Sequence, residues 1–279
     1  AQMNEIKGTE AYTADGERIA VCINIGKPSD MKSAEGEKLD GVGLFRSEFL
    51  FSSEKEMPTC EEQTEAYREV IKAAAPNYVT IRTLDVGGDK QIEYLNMHSE
   101  ENPFLGERGI RLMLNNPEVF KTQLRAILIA AADEKVKIML PMITSLDEIR
   151  AAKKIIAEVQ SELESEGVGY CREPLVGIMI ETPASAIMAD VFAKHADFFS
   201  IGTNDLVQYI TAADRGNYEV ENLYNPYHPA VIYMLNNIIR AGHDANIEVS
   251  VCGDLAANTD FTELLLGMGL KKFSVPRPM

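Results

Sequence analysis

The sequence predicts an α/β fold, the TIM (β/α)8 barrel, and three observations carry that expectation. Eight short β-rich runs alternate with helical segments. Most of the runs are apolar from end to end, as strands covered on both faces are. No G-x-G-x-x-G follows a strand, and eight alternations close a barrel more economically than they fill an open doubly wound sheet. Residues 1–18 read as a lead-in segment and 19–279 as one barrel domain.

Taken in order, the first two runs are 19–25 and 41–45, the second ending at Arg46. Thr59-Cys-Glu-Glu62 is a capping box, a hydroxyl and a carboxylate placed to satisfy orphan amides at a helix start. Run 78–84 contains Arg82, and a connection too long for a plain crossover follows over 86–115. Asn116-Pro117 starts the next helix with Pro at its first position. After run 137–142, a second capping box, Ser145-Leu-Asp-Glu148, opens a helix whose apolar face is Leu146, Ile149, Ala152, Ile156, Val159 and Leu163, ending near Gly167. Run 175–180 delivers Glu181. Run 197–201 stops at Gly202 and releases Thr203, Asn204 and Asp205, and a second long connection, 206–247, carries its own helix near 230–241. Runs 248–251 and 272–275 complete the set, and the last barrel helix is expected to be missing.

Composition narrows the function. A net charge of -16 argues against nucleic acid, which is gripped by clustered Lys and Arg. An anionic ligand therefore needs locally concentrated cations. Cys22, Cys60, Cys171 and Cys252 form no C-x-x-C pair, so neither a disulfide framework nor a zinc ribbon is expected and a cytoplasmic setting fits. No apolar run reaches the roughly 18 residues of a membrane helix.

Read to their C-terminal ends, the strands present Arg46, Arg82, Glu181, Asn204-Asp205 and Cys252-Gly253-Asp254 to one crevice. Lys90, Arg108 and Arg215 on the long loops add cations, and guanidinium forks match phosphate and carboxylate oxygens, so the ligand is a compact polyanion. Gly87-Gly88-Asp89-Lys90 is not a Walker A loop, which argues against ATP. Glu181 and Asp205 end neighbouring strands and suit one Mg²⁺; both also precede helical segments, where capping would explain them equally simply. Cys252 reads either as a small buried hydrophobe or, beside cations, as a thiol tuned for acid–base work. The four histidines show no metal spacing, and His228 reads as a loop anchor.

Gly41-Val-Gly-Leu-Phe-Arg-Ser-Glu-Phe-Leu-Phe51, Arg82-Thr-Leu-Asp-Val-Gly-Gly-Asp-Lys90, Glu101-Asn-Pro-Phe-Leu-Gly106, Phe198-Phe-Ser-Ile-Gly-Thr-Asn-Asp-Leu206 and Asp214-Arg-Gly216 resemble enzyme I of the bacterial phosphoenolpyruvate-dependent sugar phosphotransferase system, in its C-terminal substrate-binding barrel. The resemblance implies phosphoenolpyruvate held by Arg46, Arg82, Lys90, Arg108, Asn204 and Arg215, with Mg²⁺ on Glu181 and Asp205. It implies that Cys252 protonates the enolate to give pyruvate, with Arg215 beside the transferring group. The implied partners are a phosphohistidine domain preceding the barrel, the histidine-containing phosphocarrier protein beyond it, and a second copy in a homodimer. Asp254 stands where the family has Glu, and Pro276-Arg-Pro278 replaces its Ser- or Ala-containing sequence. A related synthase or dikinase domain and a non-catalytic phosphoenolpyruvate-sensing dimerisation module are the alternatives.

Overall fold

The structure, a computed structural model, describes residues 8–34, 36–52, 56–88, 92–95 and 97–276. A short strand β1 (Ala11–Tyr12), not anticipated from sequence, pairs antiparallel with β2 (Arg18–Ile25). From β2 onward the strands run parallel in chain order: β3 (Val42–Arg46), β4 (Val79–Arg82), β5 (Val136–Leu140), β6 (Leu175–Ile180), β7 (Phe198–Gly202), β8 (Glu248–Cys252) and β9 (Lys272–Pro276). β9 pairs back onto β2 from Ala20↔Lys272 to Asn24↔Pro276, so the eight-stranded barrel closes. Closure lies in backbone hydrogen bonds between the first and last barrel strands.

The alternation of side chains along each strand separates two interiors. Outward positions such as Phe45, Ile81, Ile138, Ile178, Phe199 and Val251 pack under the surrounding helices in the main apolar core. Inward positions form a smaller cluster of Leu44, Met139, Met179, Phe198 and Cys252. Around it the lumen is polar, with Asn24, Thr80, Arg82, Lys137, Ser200, Ser250 and Ser274 all buried. The strands are thus apolar on their outer face, and polar side chains occupy alternate inner positions.

Helices α1 (Glu48–Ser52), α2 (Cys60–Ala74), α3 (Ile110–Asn115), α4 (Pro117–Ala130) and α5 (Leu146–Glu166) cover the first half of the barrel. Both capping boxes form as expected: Thr59 with Glu62 at α2, and Ser145 with Glu148 at α5. α5 stops at Gly167, which takes the left-handed conformation at φ 69°. The second half carries α6 (Pro183–Ile187), α7 (Ala189–Phe192), α8 (Thr203–Thr211), α9 (Pro229–Asp244) and α10 (Thr259–Gly267). His228 caps α9, its Nδ1 accepting the Ala230 N–H at 3.1 Å, which fits an anchoring role. Among the described residues no helix is long and apolar enough to cross a membrane.

Candidate active site

The C-terminal ends of the barrel strands surround a pocket of about 160 Å³. Arg46, Arg82, Arg108, Glu181, Asn204, Asp205, Arg215, Cys252 and Asp254 all line it. Of the sequence-predicted site residues, only Lys90 lies outside the described residues. The rest come to one mouth from five strands and two loops.

A buried polar network fixes the floor. The Gln123 side chain from α4 accepts from the Leu84 N–H at 2.9 Å and donates to Ser47 Oγ at 3.0 Å and to the Tyr67 hydroxyl at 3.1 Å. Ser47 in turn donates to the Arg82 carbonyl at 2.7 Å. The end of β4 and the start of α1 are thereby tied together, which sets Glu48 against Arg82: Arg82 Nη2 donates to Glu48 Oε1 at 2.6 Å. Buried hydrogen-bond networks of this kind rigidify what they hold.

From Arg82 the charges alternate across the site. Arg82 Nη1 lies 3.1 Å from Asp85 Oδ2. Arg108 Nη2 meets both Asp85 oxygens at 3.2 Å, and also Asp205 Oδ2 at 3.1 Å. The Arg108 guanidinium stands over the Phe104 ring at 6.0 Å and donates to the Tyr209 hydroxyl at 3.3 Å. Burial opposes its charge, but Asp85, Asp205 and Glu181 outweigh that cost and raise its pKa. Asp85, only 3% exposed, is the site residue that sequence reasoning missed. Its signal was present inside Arg82-Thr-Leu-Asp85, three residues past the strand-end arginine.

Asp85, Glu181 and Asp205 form a buried group whose oxygens lie within 4.8 Å of one another. Capping does not account for the last two. Thr182 caps α6, accepting from the Ser185 N–H, and Gly202 is the N-cap of α8, with Asp205 inside its first turn. Glu181 Oε1 instead accepts the Met142 N–H at 2.7 Å. Met142 adopts φ 58° to present that amide, a backbone conformation few non-glycine residues take. Burial, with Asp85 and Asp205 adding to it, pushes the Glu181 carboxyl up to about 8. Ion pairs join Arg82 to Glu48 and Asp85, and Arg108 to Asp85 and Asp205, so acidic oxygens and guanidinium groups pack into one buried nest. The three converging carboxyl groups offer the oxygen donors that a hard divalent cation prefers.

The arginines fall into two classes. Arg82 and Arg108 are committed to carboxylates, yet the Nε of each is buried without a hydrogen-bond partner among the described residues. Arg46, half-buried, and Arg215, exposed, line the pocket and make no ion pair among the described residues. Asn204 is oriented as well: its Oδ1 accepts the Asp254 N–H at 3.0 Å, which leaves its amide Nδ2 as a donor. The contact uses the Asp254 backbone, so a shorter side chain than the family's Glu does not disturb it.

Cys252 is buried at the pocket floor, and burial pushes its thiol up to about 11 despite the Ser200 hydrogen bond and the Arg82 and Arg46 charges. Burial outweighs the neighbouring cations at this thiol. The group is a protonated thiol at neutral pH, a proton donor in its resting state.

A family profile described as the PEP-binding domain of PEP-utilising enzymes, PEP being phosphoenolpyruvate, matches residues 1–278. The chain belongs to this family. Within it, the chain is 44% identical over 274 residues to the phosphoenolpyruvate-protein phosphotransferase of Staphylococcus carnosus (strain TM300), covering 98% of this chain and 48% of that protein. It is 45% identical over 275 residues to the protein of the same name from Priestia megaterium, covering 99% and 48%. This PEP-binding domain therefore spans about half the length of the curated relatives it matches. Among solved structures, an HpcH/HpaI aldolase/citrate lyase family protein from Burkholderia cenocepacia J2315 is similar at a TM-score of 0.54 and 15% identity, over 94% of this chain and 89% of the other. That likeness concerns the barrel alone.

Proposed function

We propose that this PEP-binding domain is the catalytic barrel of a phosphoenolpyruvate-protein phosphotransferase, holding phosphoenolpyruvate with Mg²⁺ for transfer of its phosphoryl group to a histidine on a separate domain. The observation that carries the reading is the division of the arginines: Arg82 and Arg108 brace a carboxylate nest, while Arg46 and Arg215 face the same pocket with no ion pair among the described residues. Such a site is negative at its base and positive at its mouth. A divalent cation suits the first and a phosphate- and carboxylate-bearing substrate the second.

Glu181 and Asp205 would hold the Mg²⁺, with Asp85 beside them. When bound, the cation neutralises charge on the phosphoryl oxygens. The chain's own residues do the rest. Arg46 and Arg215, the Nε groups of Arg82 and Arg108 that have no hydrogen-bond partner among the described residues, and the Asn204 amide bind and orient the two anionic ends of the substrate. As the bridging P–O bond breaks and the N–P bond to the acceptor histidine forms, the electron pair stays on the enolate. The Cys252 S–H bond then breaks, its proton forms the new C–H bond at the methylene carbon, and sulfur keeps the pair. Pyruvate is released. Lys90 belongs to the same reading as a further phosphate contact, and the phosphocarrier protein and a homodimer are its partners beyond the chain.

Titration calorimetry tests this with the folded chain. Phosphoenolpyruvate should bind only with Mg²⁺ present, and Arg82→Ala or Glu181→Ala should weaken binding at least tenfold, consistent with about 1.4 kcal/mol or more per lost charge-assisted contact. An isolated phosphohistidine domain added in trans should then become phosphorylated as pyruvate appears. Binding without transfer would instead favour a sensing module.

A further inference from the structure

Cys252 is clamped from one side. Across the β7–β8 pair, where Ser200 is paired with Ser250 and Gly202 with Cys252, the Ser200 hydroxyl donates to Cys252 Sγ at 3.5 Å. The thiol donates to the Ile201 carbonyl at 3.4 Å, and Thr203 Oγ1 donates to the Cys252 carbonyl at 2.9 Å. Ser200 is 1% exposed, in an inward position that Phe198 and Gly202 share on the same strand.

We propose that Ser200 is the positioning residue for the proton-donating thiol: its hydroxyl holds Sγ at the pocket floor and supports the charge left on sulfur when the proton leaves. This rests on the proposed function. The surroundings explain the need. The sulfur sits among Leu44, Met139, Met179 and Phe198, which offer a thiolate no hydrogen bond. The Ile201 carbonyl can only accept, so it parks the thiol proton and opposes the anion. The charged groups that act on the sulfur are Arg82 from β4, Arg46 at the end of β3 and Glu181 after β6, of mixed sign. Among the hydrogen bonds of the described residues, the Ser200 hydroxyl is the donor that reaches Sγ. For donation to substrate, the S–H must turn from Ile201 toward the pocket while the Ser200 bond keeps the sulfur in place. Proton transfer then converts that bond from a neutral to a charge-assisted one, which is stronger in the state formed than in the resting state.

The test compares the wild-type chain with Ser200→Ala and Ser200→Thr, the second keeping the hydroxyl, with thermal melts confirming that each is folded. The first readout is the rate of iodoacetamide modification of Cys252, followed by peptide mass spectrometry from about pH 7 to about pH 9.5, where rate tracks thiolate fraction. Ser200→Ala should react about tenfold more slowly at each pH, a shift of about one pH unit, with Ser200→Thr within about twofold of wild type. The second readout is pyruvate formation with an isolated phosphohistidine domain, where kcat should fall about tenfold in Ser200→Ala while KM for phosphoenolpyruvate stays within about twofold. Equal modification rates in wild type and Ser200→Ala, or equal slowing in both variants, would overturn the proposal. A wild-type chain that binds no phosphoenolpyruvate overturns the proposed function instead, and the modification rates still decide whether Ser200 governs the thiol.

Discussion

Both carboxylate oxygens of Asp85 accept from a single nitrogen of Arg108, Nη2, at 3.2 Å. Because Arg82 Nη1 also lies 3.1 Å from Asp85 Oδ2, one carboxylate sets the spacing of two guanidinium groups across the pocket. Asp85→Asn keeps the shape and removes the charge. Arg82 retains Glu48 and Arg108 retains Asp205, so the loss should stop short of the 3–5 kcal/mol typical of a fully broken buried pair, at about 2 kcal/mol in urea unfolding. The Asn amide must also turn a donor toward one guanidinium, which displaces it. Phosphoenolpyruvate affinity should therefore fall about tenfold or more, and an unchanged affinity in calorimetry would remove Asp85 from the site.

Glu181 gives a pH dependence of defined sign. Its carboxyl is raised from 4.5 to about 8, first by burial and then by Asp85 and Asp205. The folded state thus binds the proton more tightly than the unfolded chain. Stability from this group is present at low pH and is lost as pH rises from near 4.5 through about 8, at about 1.4 kcal/mol per pH unit. A divalent cation bound to the ionised carboxylate reverses the preference. In melts from about pH 5 to about pH 8, Tm should fall with pH in EDTA and flatten with Mg²⁺, whereas Glu181→Gln should show the flatter profile in both. Identical wild-type slopes with and without Mg²⁺ would count against Glu181 as a ligand.

What the sequence made legible follows from what leaves a local mark. The eight barrel strands were readable because their outer faces are continuous apolar surface, and the two capping boxes because they are short-range hydrogen bonds written within four residues. Arg46, Glu181 and Cys252 were readable because a buried run ends on a functional group, which marks a barrel rim. Asp85 was not, because it lies past the end of β4 within a segment whose glycines and lysine drew the reading. Its role comes through Arg108, more than twenty residues on, and through Arg82. Ser200 was also passed over as one more strand residue, although a hydroxyl between Phe199 and Ile201 in a buried run faces the lumen by simple alternation. The direction of the Cys252 shift could not be read either, since it depends on depth of burial, which the neighbouring charges do not overcome.

Gly202 leaves room for the Glu181 carboxylate. Its φ of -84° suits any residue, so the constraint is space: an added Cβ would lie 2.9 Å from Glu181 Oε2 and 3.0 Å from both Glu181 Cβ and Met179 Cγ. Gly202→Ala should therefore fold, at a cost of about 1–3 kcal/mol for overpacking, and push Glu181 away from Asp205. Mg²⁺ requirement is the sensitive readout. The half-saturating Mg²⁺ for phosphoenolpyruvate binding should rise at least about fivefold, as expected when a cation that tolerates little distortion loses its ligand geometry. An unchanged Mg²⁺ requirement in a folded variant would show that Glu181 can yield without consequence.

The opposite end of the lumen should behave as scaffold. Lys137, near the start of β5, is buried and donates to Glu248 Oε1 at 2.6 Å, and Lys272 reaches the same carboxylate at 3.1 Å. The Lys137 ammonium also lies 4.9 Å from the Tyr78 ring centre and 5.2 Å from that of Phe198. Burial, with Lys272 adding to it, lowers the Lys137 pKa, so its charge is held at a cost. Lys137→Met keeps much of the volume and leaves Glu248 paired with Lys272, so stability should change by less than about 1.5 kcal/mol. Lys137→Ala opens a cavity beneath the Phe198 ring and should cost about 2–4 kcal/mol. Neither substitution touches the strand ends where Arg82 and Glu181 stand. Phosphoenolpyruvate affinity should stay within about twofold of wild type in both, and a larger loss in the methionine variant would mean that the two ends of the lumen are coupled.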